Sequence, residues 1–266
     1  MSQRREIEAR LALYGDLAGI LGAMRSFALA ELHRVSRREE AQQQVVRVLG
    51  QSLQEVSPFL PPQEPAAADV WLLLGSVRGF CGSFNEDIVR AWRGVADARQ
   101  AVIVVGQRLQ ATMAEELRTV PVAGADGGLD AAAAIDRILA AITLTRRRVG
   151  QASGLIACVH DEDGVRRQRL LPLPVTTAGA ALPPLTNEPP AMVAAGVAEH
   201  FLFHQLLALL LRSIRVENRQ RLMQMENALH HLEQGSDELA RQRNRLRQEE
   251  IVEEIEVITG IRGGMH

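Results

Sequence analysis

The sequence predicts an α/β protein, in which a long antiparallel coiled coil of the N- and C-terminal helices carries an inserted Rossmann-like α/β domain. Residues 192–259 contain no proline and only two glycines, which is typical of one long helix. Residues 3–56 show a second helical pattern, and apolar runs alternate with helical stretches between these two segments. Strands that alternate with helices favour a mainly parallel, doubly wound sheet. We therefore expect three segments, residues 1–57, 58–190 and 191–266.

The C-terminal helix has a heptad seam, because apolar residues recur at steps of three, four or seven: Leu222, Met225, Leu229, Leu232, Leu239 and Leu246. Polar residues take three further positions of this seam, namely Ser236, Arg243 and Glu250. The apolar positions then restart out of step at Ile251, Ile255 and Ile258. At about 1.5 Å per residue, the helix extends over roughly 100 Å. A seam that weakens and shifts predicts a helix that leaves one partner and enters another environment near its end.

The N-terminal helix has one apolar face, formed by Ile7, Leu11, Tyr14, Ala18 and Leu21. Four more apolar residues are expected to widen it: Leu17, Ile20, Met24 and Phe27. Three glycines also recur at helical spacing, Gly15, Gly19 and Gly22. Each glycine costs helix stability of up to about 1 kcal/mol, so we interpret them as places where another helix backbone approaches closely. A simple kink is the alternative.

The segment between the helices reads as strands over 70–75, 101–106 and 154–160, with a fourth strand over 169–175 flanked by prolines. Helices are expected over 85–95, 107–117 and 129–144. Asn85 is expected to cap the first of these helices, because it precedes the acidic residues Glu86 and Asp87.

Composition excludes several classes of function. A net charge of −2, with six phenylalanines, two tryptophans and one tyrosine, argues against a nucleic-acid surface. All 30 basic residues are arginine, so the chain has no Walker-A lysine and is not itself a P-loop ATPase. Two cysteines favour a reducing compartment. The N-terminus has no apolar signal core, and the apolar run 201–211 is well short of the roughly 20 residues of a membrane-spanning helix. We expect no direct membrane insertion.

The stretch 75–85, GSVRGFCGSFN, joins the first strand to the first short helix, where open α/β sheets bind phosphates. It does not fit G-x-G-x-x-G, so a tight turn or contact surface is favoured over a nucleotide site. Cys81 has no base near it in sequence and reads as a structural thiol. The seven histidines show no metal-ligand spacing. We therefore expect no catalytic residue, no cofactor and no metal.

The C-terminal helix carries a charge run near its end. Four arginines, Arg241, Arg243, Arg245 and Arg247, precede five glutamates, Glu249, Glu250, Glu253, Glu254 and Glu256. Arginine before glutamate is the less favourable order for pairs within a helix, and carboxylates near a helix C-terminus oppose the dipole. Contact with a partner is therefore favoured over a plain solvated face.

Three stretches carry recognisable motifs. The first comprises Ile7, Arg10 and Leu11 with Ile20–x–x–Ala23–Met24–Arg25–x–Phe27–Ala28, and the second is Ser76–x–Arg78–Gly79–x–Cys81–Gly82–x–Phe84–Asn85. The third is Glu217–x–x–x–Arg221–x–x–x–Met225–x–Asn227–Ala228, followed by Asn244–x–x–Arg247–Gln248–x–x–Ile251–x–x–Glu254–Ile255–x–x–Ile258. Together they resemble the gamma subunit of F-type ATP synthases over the whole chain. Four residues depart from the family pattern, Gly22, Val77, Glu226 and Val252, which suggests a divergent bacterial branch, with an alternative ion-translocating F-type ATPase as one option.

The resemblance implies a central rotor shaft that couples ion flow through a membrane ring to ATP synthesis or hydrolysis in a ring of alpha and beta subunits. It implies contacts with alpha, beta, epsilon and the c-type rotor ring, on the cytoplasmic side of the bacterial inner membrane. Arg247 and Gln248 would contact the catch loop of beta. The axle and bearing would include Met24, Met225, Asn227, Ile251, Glu254, Ile255 and Ile258. The lower-domain turn would comprise Arg78, Gly79, Cys81, Gly82, Phe84 and Asn85.

Two other classes of function remain open from the residues alone. A coiled-coil adaptor would form a stable homodimer through residues 222–246, although the interrupted seam argues against it. A nucleotide-dependent enzyme would require the 75–85 stretch to bind the nucleotide.

Overall fold

The computed structural model describes residues 2–62, 66, 68–95, 97, 100–116, 118–150, 152–174 and 186–263. Two long helices, α1 (Ser2–Val56) and α5 (Pro190–Gly263), stand at the two ends of the chain, as predicted. Contacts divide the chain into two units. The coiled-coil unit comprises the described residues of Met1–Phe27 and Leu222–His266, and the sheet unit comprises those of Ala28–Arg221.

The sheet unit contains five described strands and three shorter helices. In chain order these are β1 (Asp69–Leu74), α2 (Phe84–Arg93), β2 (Val102–Val105), α3 (Gln107–Thr112), β3 (Thr119–Val122), α4 (Ala131–Val149), β4 (Gly154–Asp161) and β5 (Gly164–Leu171). The strand order is β3-β2-β1-β4-β5. The first four strands run parallel, with Trp71 of β1 opposite Val102 and Ile156, and β5 pairs antiparallel with β4. The predicted mainly parallel sheet is confirmed.

Two strands differ from the sequence expectation. The structure adds β3, whose sequence TVPV is only partly buried and places Pro121 at the edge of the sheet, where its missing N–H leaves no ladder bond unmade. The last strand begins at Gly164 and ends at Leu171, whereas the sequence predicted residues 169–175. It is an edge strand with mostly exposed polar side chains, so it lacks the apolar run by which a buried strand is recognised. Helix α3 also stops at Thr112, before the predicted end at residue 117.

The core of the sheet unit lies on both faces of β1, because successive side chains of a strand point to opposite sides. Val70, Leu72 and Leu74 pack on one face in a cluster that includes residues of α1, α4 and α5. Trp71 and Leu73 pack on the other face with residues of α2 and α3. Helices therefore cover both faces, as a doubly wound sheet requires.

The coiled-coil unit pairs the two terminal helices in opposite directions. Arg4 Nη1 lies 2.9 Å from a carboxylate oxygen of Glu250, and Arg25 Nε lies 3.4 Å from Glu226. The predicted face of α1 is confirmed, since each of its members is half-buried: Ile7, Leu11, Tyr14, Ala18 and Leu21. The seam of α5 is likewise half-buried or buried from Leu222 to Glu250, including its polar members Ser236 and Arg243. The antiparallel coiled coil predicted from the sequence is confirmed.

Within the described part of this chain, no helix backbone approaches the N-terminal glycines, contrary to the interpretation that one packs closely there. A Cβ atom built on Gly15, Gly19 or Gly22 meets no described atom within 4 Å. The close approach is at Gly235 of α5, where a Cβ atom would lie 2.6 Å from the ring of Tyr14. Three residues expected to widen the apolar face of α1 are exposed instead: Leu17, Ile20 and Phe27.

Among the described helices, α5 has one 18-residue stretch with a mean hydropathy of 1.5, long and apolar enough by length and composition to cross a membrane. Some 28% of that stretch is buried within the protein. A core helix meets the same criterion, and Leu206, Leu209 and Leu210 of α5 belong to the core on one face of the sheet.

Candidate partner-contact sites

The turn between β1 and α2 is closed by side chains from within the motif. The Ser76 backbone N–H donates to Asn85 Oδ1 at 3.0 Å, and Asn85 Nδ2 donates to Ser76 Oγ at 2.9 Å. The Cys81 thiol lies 3.4 Å from the same hydroxyl. Helix α2 begins at Phe84, so the expectation that Asn85 is its N-cap is wrong. Asn85 is instead a buried residue that ties the start of the helix to the end of β1.

The backbone of this turn enters the left-handed region twice, at Phe80 (φ 61°) and Gly82 (φ 60°). Glycine adopts this conformation without steric cost, whereas a side chain such as that of Phe80 strains it. The Phe80 side chain is nevertheless 63% exposed, so its own burial does not hold the turn. Contacts to neighbouring residues must hold it.

Helix α5 supplies such contacts. Arg221 donates from Nε to the Gly79 carbonyl oxygen at 3.0 Å and from Nη1 to Asn218 Oδ1 at 2.8 Å. Its Nη2 group pairs with the carboxylate of Glu217, one helical turn earlier. Glu217 and Arg221 are only 6% and 7% exposed. The Glu217–x–x–x–Arg221 motif is therefore the clamp that holds the glycine-rich turn.

The same helix covers the carboxyl end of β1. Ser213 Oγ donates to the Leu74 carbonyl oxygen at 3.2 Å. Open α/β sheets bind ligands in the crevice outside the carboxyl ends of their strands, next to the point where the strand order reverses. In this protein β1 stands at that point, between β2 and β4. Protein groups thus occupy the place of a ligand, which favours the tight-turn interpretation over the nucleotide site.

Burial sets the ionisation of the groups around the turn. Desolvation raises the pKa of Glu217, and the adjacent Arg221 guanidinium opposes that shift. Desolvation also raises the pKa of the Cys81 thiol, and it raises that of Cys158 to about 12. Thiols in this state carry little thiolate and are poor nucleophiles. This supports a structural role for Cys81, and no catalytic one.

Arg78 and Phe80 form the exposed tip of the turn. Arg78 Nε lies 3.8 Å from the Asp126 carboxylate, and both side chains are largely in solvent. Behind the tip, the Phe84 ring stacks on His160 at a centroid distance of 4.1 Å, and His160 Nε2 lies 2.8 Å from the Phe84 carbonyl oxygen. The motif therefore presents an exposed arginine and an exposed aromatic ring on a firmly held base.

The end of α5 is a second candidate site. Arg247 and Gln248 are exposed, and every residue from Ile251 to Thr259 is exposed as well. The exposed residues include Glu254 and five large apolar ones: Ile251, Val252, Ile255, Val257 and Ile258. The start of α1 lies beside Glu250, through Arg4, so α5 continues past that point for roughly 20 Å at 1.5 Å per residue. Apolar side chains exposed in such a concentration indicate a surface that another protein covers.

The axle residues take different environments. Met225 is 1% exposed and Met24 is half-buried, whereas Asn227, two positions after Met225, is exposed. Of the C-terminal charge run, Glu250 pairs with Arg4 inside the coiled-coil unit. That glutamate therefore serves its own chain, contrary to the expectation that the whole run is placed for a partner.

An ionic cluster in the sheet unit was not predicted from the sequence. Glu39 of α1 is 3% exposed, and its carboxylate lies 3.2 Å from Arg212 Nε and 2.5 Å from Arg215 Nε. The Arg215 contact is an ion pair without hydrogen-bond alignment. Arg212 Nη1 also donates to Asp161 at 3.0 Å and Arg215 Nη1 to Glu162 at 2.7 Å, at the tip of the β4–β5 hairpin. The detectable signal was a pair of arginines three residues apart, directly after the apolar run 201–211.

No group of three or more histidine, cysteine, aspartate and glutamate side chains that could hold a metal ion occurs within the described ranges. What the arrangement offers is two exposed contact surfaces, one in each unit.

An antiparallel coiled coil and a doubly wound domain, in which a helix covers the carboxyl end of β1, define a coiled-coil protein with an inserted α/β domain. A sequence profile described as ATP synthase matches residues 3–263, and the chain therefore belongs to that family, in which its curated relatives are gamma chains. The predicted membership of the gamma-subunit family is confirmed.

Two of these curated relatives, both described as ATP synthase gamma chain, come from bacteria. The chain is 26% identical to the protein of Akkermansia muciniphila over 123 residues, which are 43% of this chain and 42% of the relative. It is 23% identical to the protein of Mycoplasmopsis synoviae over 117 residues, or 41% of this chain and 40% of the relative. Each match thus spans less than half of the relative's length.

Solved structures share the fold at lower identity. A chain of the Euglena gracilis mitochondrial ATP synthase, solved as OSCP/F1/c-ring in rotational state 3, matches 100% of this chain and 95% of its own length, with a TM-score of 0.66 and 17% identity. A chain from the rotor of the same enzyme has a TM-score of 0.62 at 16% identity, covering 94% of this chain and 99% of its own. A central-stalk chain of the Tetrahymena thermophila enzyme has a TM-score of 0.56 at 19% identity, covering 79% and 99%. These likenesses establish the fold.

Proposed function

We propose that this chain is the central rotor shaft of an F-type ATP synthase, which couples ion flow through a membrane ring to ATP synthesis or hydrolysis. The observation that carries the proposal is the end of α5. Its residues from Ile251 to Thr259 are exposed and largely apolar, beyond the point where Arg4 of α1 pairs with Glu250. A single helix that exposes this many large apolar residues is stable in water only when another protein surrounds it. A ring of alpha and beta subunits would be such an environment.

A shaft of this kind carries no chemistry of its own. It acts on each catalytic subunit by making different contacts with its alternative conformations, since only differential interaction can shift an equilibrium between states. The two surfaces of this chain suit that role, because its helices present different residues on each face. During synthesis the energy would come from ions crossing the membrane, at about 2.3 kcal/mol per charge per 100 mV.

Specific contacts follow from the family motifs. Arg247 and Gln248 would bind the catch loop of beta, which suits their exposure on α5. Ile251, Ile255 and Ile258 would lie in an apolar bearing, with Glu254 at its rim. The axle residues Met24, Met225 and Asn227 would lie within the ring of alpha and beta subunits. The clamped turn, from Arg78 to Asn85, would face the epsilon subunit and the c-type rotor ring.

The chain would be a peripheral subunit on the cytoplasmic side of the bacterial inner membrane. Two free, buried cysteines suit a reducing compartment, and two of the curated relatives are bacterial. The three segments expected from the sequence, residues 1–57, 58–190 and 191–266, would then correspond to one helix of the axle, the lower domain and the second helix.

The test is co-expression of this chain with the alpha and beta subunits of its own complex, followed by an assay of ATP hydrolysis. We expect an active complex with the wild-type chain and slower turnover with Arg247→Ala/Gln248→Ala. Arg90→Ala, which removes an exposed arginine from α2, is the control for loss of charge and should leave turnover unchanged. Equal hydrolysis with the double variant refutes the assignment of Arg247 and Gln248. Failure of the wild-type chain to assemble, together with a stable homodimer of the purified chain, refutes the shaft.

A further inference from the structure

Helix α5 is bonded to the rest of the sheet unit through three consecutive turns of polar side chains. We call this segment the polar collar and define it by five residues: Arg212, Ser213, Arg215, Glu217 and Arg221. Immediately before the collar, the same helix contributes apolar side chains to the core. At the collar, the contacts of α5 become mainly hydrogen bonds and ion pairs.

The collar bonds to three different elements. Arg212 and Arg215 share the buried carboxylate of Glu39 on α1. The same two arginines reach the tip of the β4–β5 hairpin, at Asp161 and Glu162.

The remaining collar residues face the carboxyl end of β1. Ser213 bonds to the Leu74 carbonyl, and Arg221 bonds to the Gly79 carbonyl in the turn that follows. The backbone of Arg78, in the same turn, bonds the Glu217 carboxylate. The helix is thus held by α1, by the hairpin and by the β1–α2 turn.

Stability alone does not explain this arrangement. A buried ion pair recovers in Coulomb energy little more than it loses in desolvation, and apolar residues of similar volume often replace one without loss of stability. What charged hydrogen bonds supply is direction, because they weaken steeply when the angle at the donor changes. Apolar packing is non-directional and allows packed helices to slide by small amounts.

We infer that the polar collar fixes the rotational position of α5, about its own axis, relative to the sheet and the other helices of the sheet unit. The collar is then the joint through which torque passes between that sheet and α5. This inference rests on the proposed function. Bonds on several sides of a helix oppose its rotation in either direction, whereas bonds on one side leave it free to pivot. C-terminal to the collar, α5 continues without interruption to Gly263. Torque applied at the collar is therefore transmitted along the helix. The collar residues are positioning residues, since they act through the orientation of α5.

The test uses the complete complex, with alpha and beta immobilised and a bead attached to the sheet unit of this chain. The angular distribution of the bead is recorded during each pause of ATP-driven rotation. The variant Glu217→Leu/Arg221→Met replaces the clamp by apolar side chains of similar volume. We expect a wider angular distribution at each pause. A purely structural role would change the melting temperature and not the width.

A second variant tests the same proposal in case the first variant does not fold. Asp161→Asn/Glu162→Gln removes the charges at the hairpin tip, where the carboxylates are partly exposed and where Arg212 and Arg215 keep Glu39 as their partner. It should also widen the distribution. The matched control is Asp87→Asn/Arg90→Gln, which neutralises an exposed pair on α2 and should leave the width unchanged.

The outcomes separate the two proposals. If the wild-type complex rotates and the angular distributions of both collar variants are as narrow as that of the control, the proposed role of the collar is refuted. The proposal that the chain is a rotor shaft is then unaffected. If the wild-type complex does not assemble or rotate, both proposals are refuted. Wider distributions in both collar variants, with the control unchanged, support the collar as the torsional joint.

Discussion

Removal of Arg221 is expected to destabilise the sheet unit more than any exposed ion pair does. In the wild-type chain this guanidinium bonds the Gly79 carbonyl, Asn218 and the Glu217 carboxylate. The change Arg221→Met keeps a long apolar stem and removes all three bonds. It leaves the Glu217 carboxylate, which is 6% exposed, without its ion-pair partner.

The magnitude follows from burial. Removing one partner of a buried ion pair costs about 3–5 kcal/mol, because the remaining charge stays desolvated. The sheet unit also contains an exposed pair, Asp87 and Arg90 on α2, whose charged atoms lie 2.7 Å apart and whose arginine is 75% exposed. Exposed pairs of this kind contribute roughly 0.3–0.5 kcal/mol. The two sites should therefore differ severalfold in the free energy of unfolding that each substitution removes.

The loss should also depend on pH. Burial raises the pKa of Glu217 above its value in the unfolded chain, and removal of Arg221 takes away the interaction that opposes this rise. The folded protein then holds a proton that the unfolded chain has released, so the free energy of unfolding falls as pH rises between the two pKa values. The destabilisation of Arg221→Met should be greatest at neutral pH and should shrink as the solution is acidified.

The assay is urea denaturation of the full chain at neutral and mildly acidic pH, followed by tryptophan fluorescence. The chain has two tryptophans, Trp71 on β1 and Trp92 on α2, and both are buried in the sheet unit, so the signal reports that unit. The double variant Glu217→Gln/Arg221→Met should regain part of the lost stability at neutral pH. An effect of Arg221→Met no larger than that of Arg90→Met, or one independent of pH, would refute the buried clamp.

Two further predictions concern glycines and cysteines. Alanine at Gly15, Gly19 or Gly22 should raise the melting temperature, measured by circular dichroism, because no atom opposes the new Cβ and alanine favours a helix by about 1 kcal/mol. Alanine at Gly235 should lower it, because its Cβ would meet the Tyr14 ring at 2.6 Å; equal effects at all four positions would contradict this packing. Both cysteines are buried with raised pKa values, so a thiol reagent at mildly alkaline pH should label the native protein slowly and the denatured protein at two sites. Rapid labelling of native Cys81 would show an open turn.

Periodicity alone was sufficient to predict the long helices and the buried strands. A heptad seam and a face at helical spacing recur over many turns, so single departures such as Ser236 and Arg243 do not hide them. Buried strands such as β1 and β2 are continuous apolar runs, because both of their faces are covered. Edge strands have neither signal, which explains why β3 was missed and β5 was placed too late in the chain.

The functional surfaces were only partly predictable. Sequence indicated the turn and the end of α5, because their motifs are local and dense. It did not indicate what holds the turn, since Arg221 and Gly79 lie far apart along the chain and meet only through the fold. It also assigned Asn85 to a helix cap, because an asparagine before acidic residues is a common cap and nothing local reveals its bonds to Ser76. Long-range polar partners are the part of a site that residue spacing does not encode.

The chemistry of α5 changes along one unbroken helix, and each change matches a change of surroundings. The segment that packs on the sheet is apolar, the collar is charged, the paired segment has a half-buried seam, and the end is apolar and exposed. A helix needs no such sequence of chemistries for its own stability, which propensity and one buried face supply. A rigid element that connects several sites must instead keep a defined rotational position at each of them. The absence of proline after Pro190 preserves continuity, and the bonds of Arg212 and Arg221 fix the position at one end. Without the bonds of Arg212 and Arg221, a continuous α5 would be free to rotate about its own axis. Without continuity of α5, the same bonds would fix only the part of the helix that packs on the sheet.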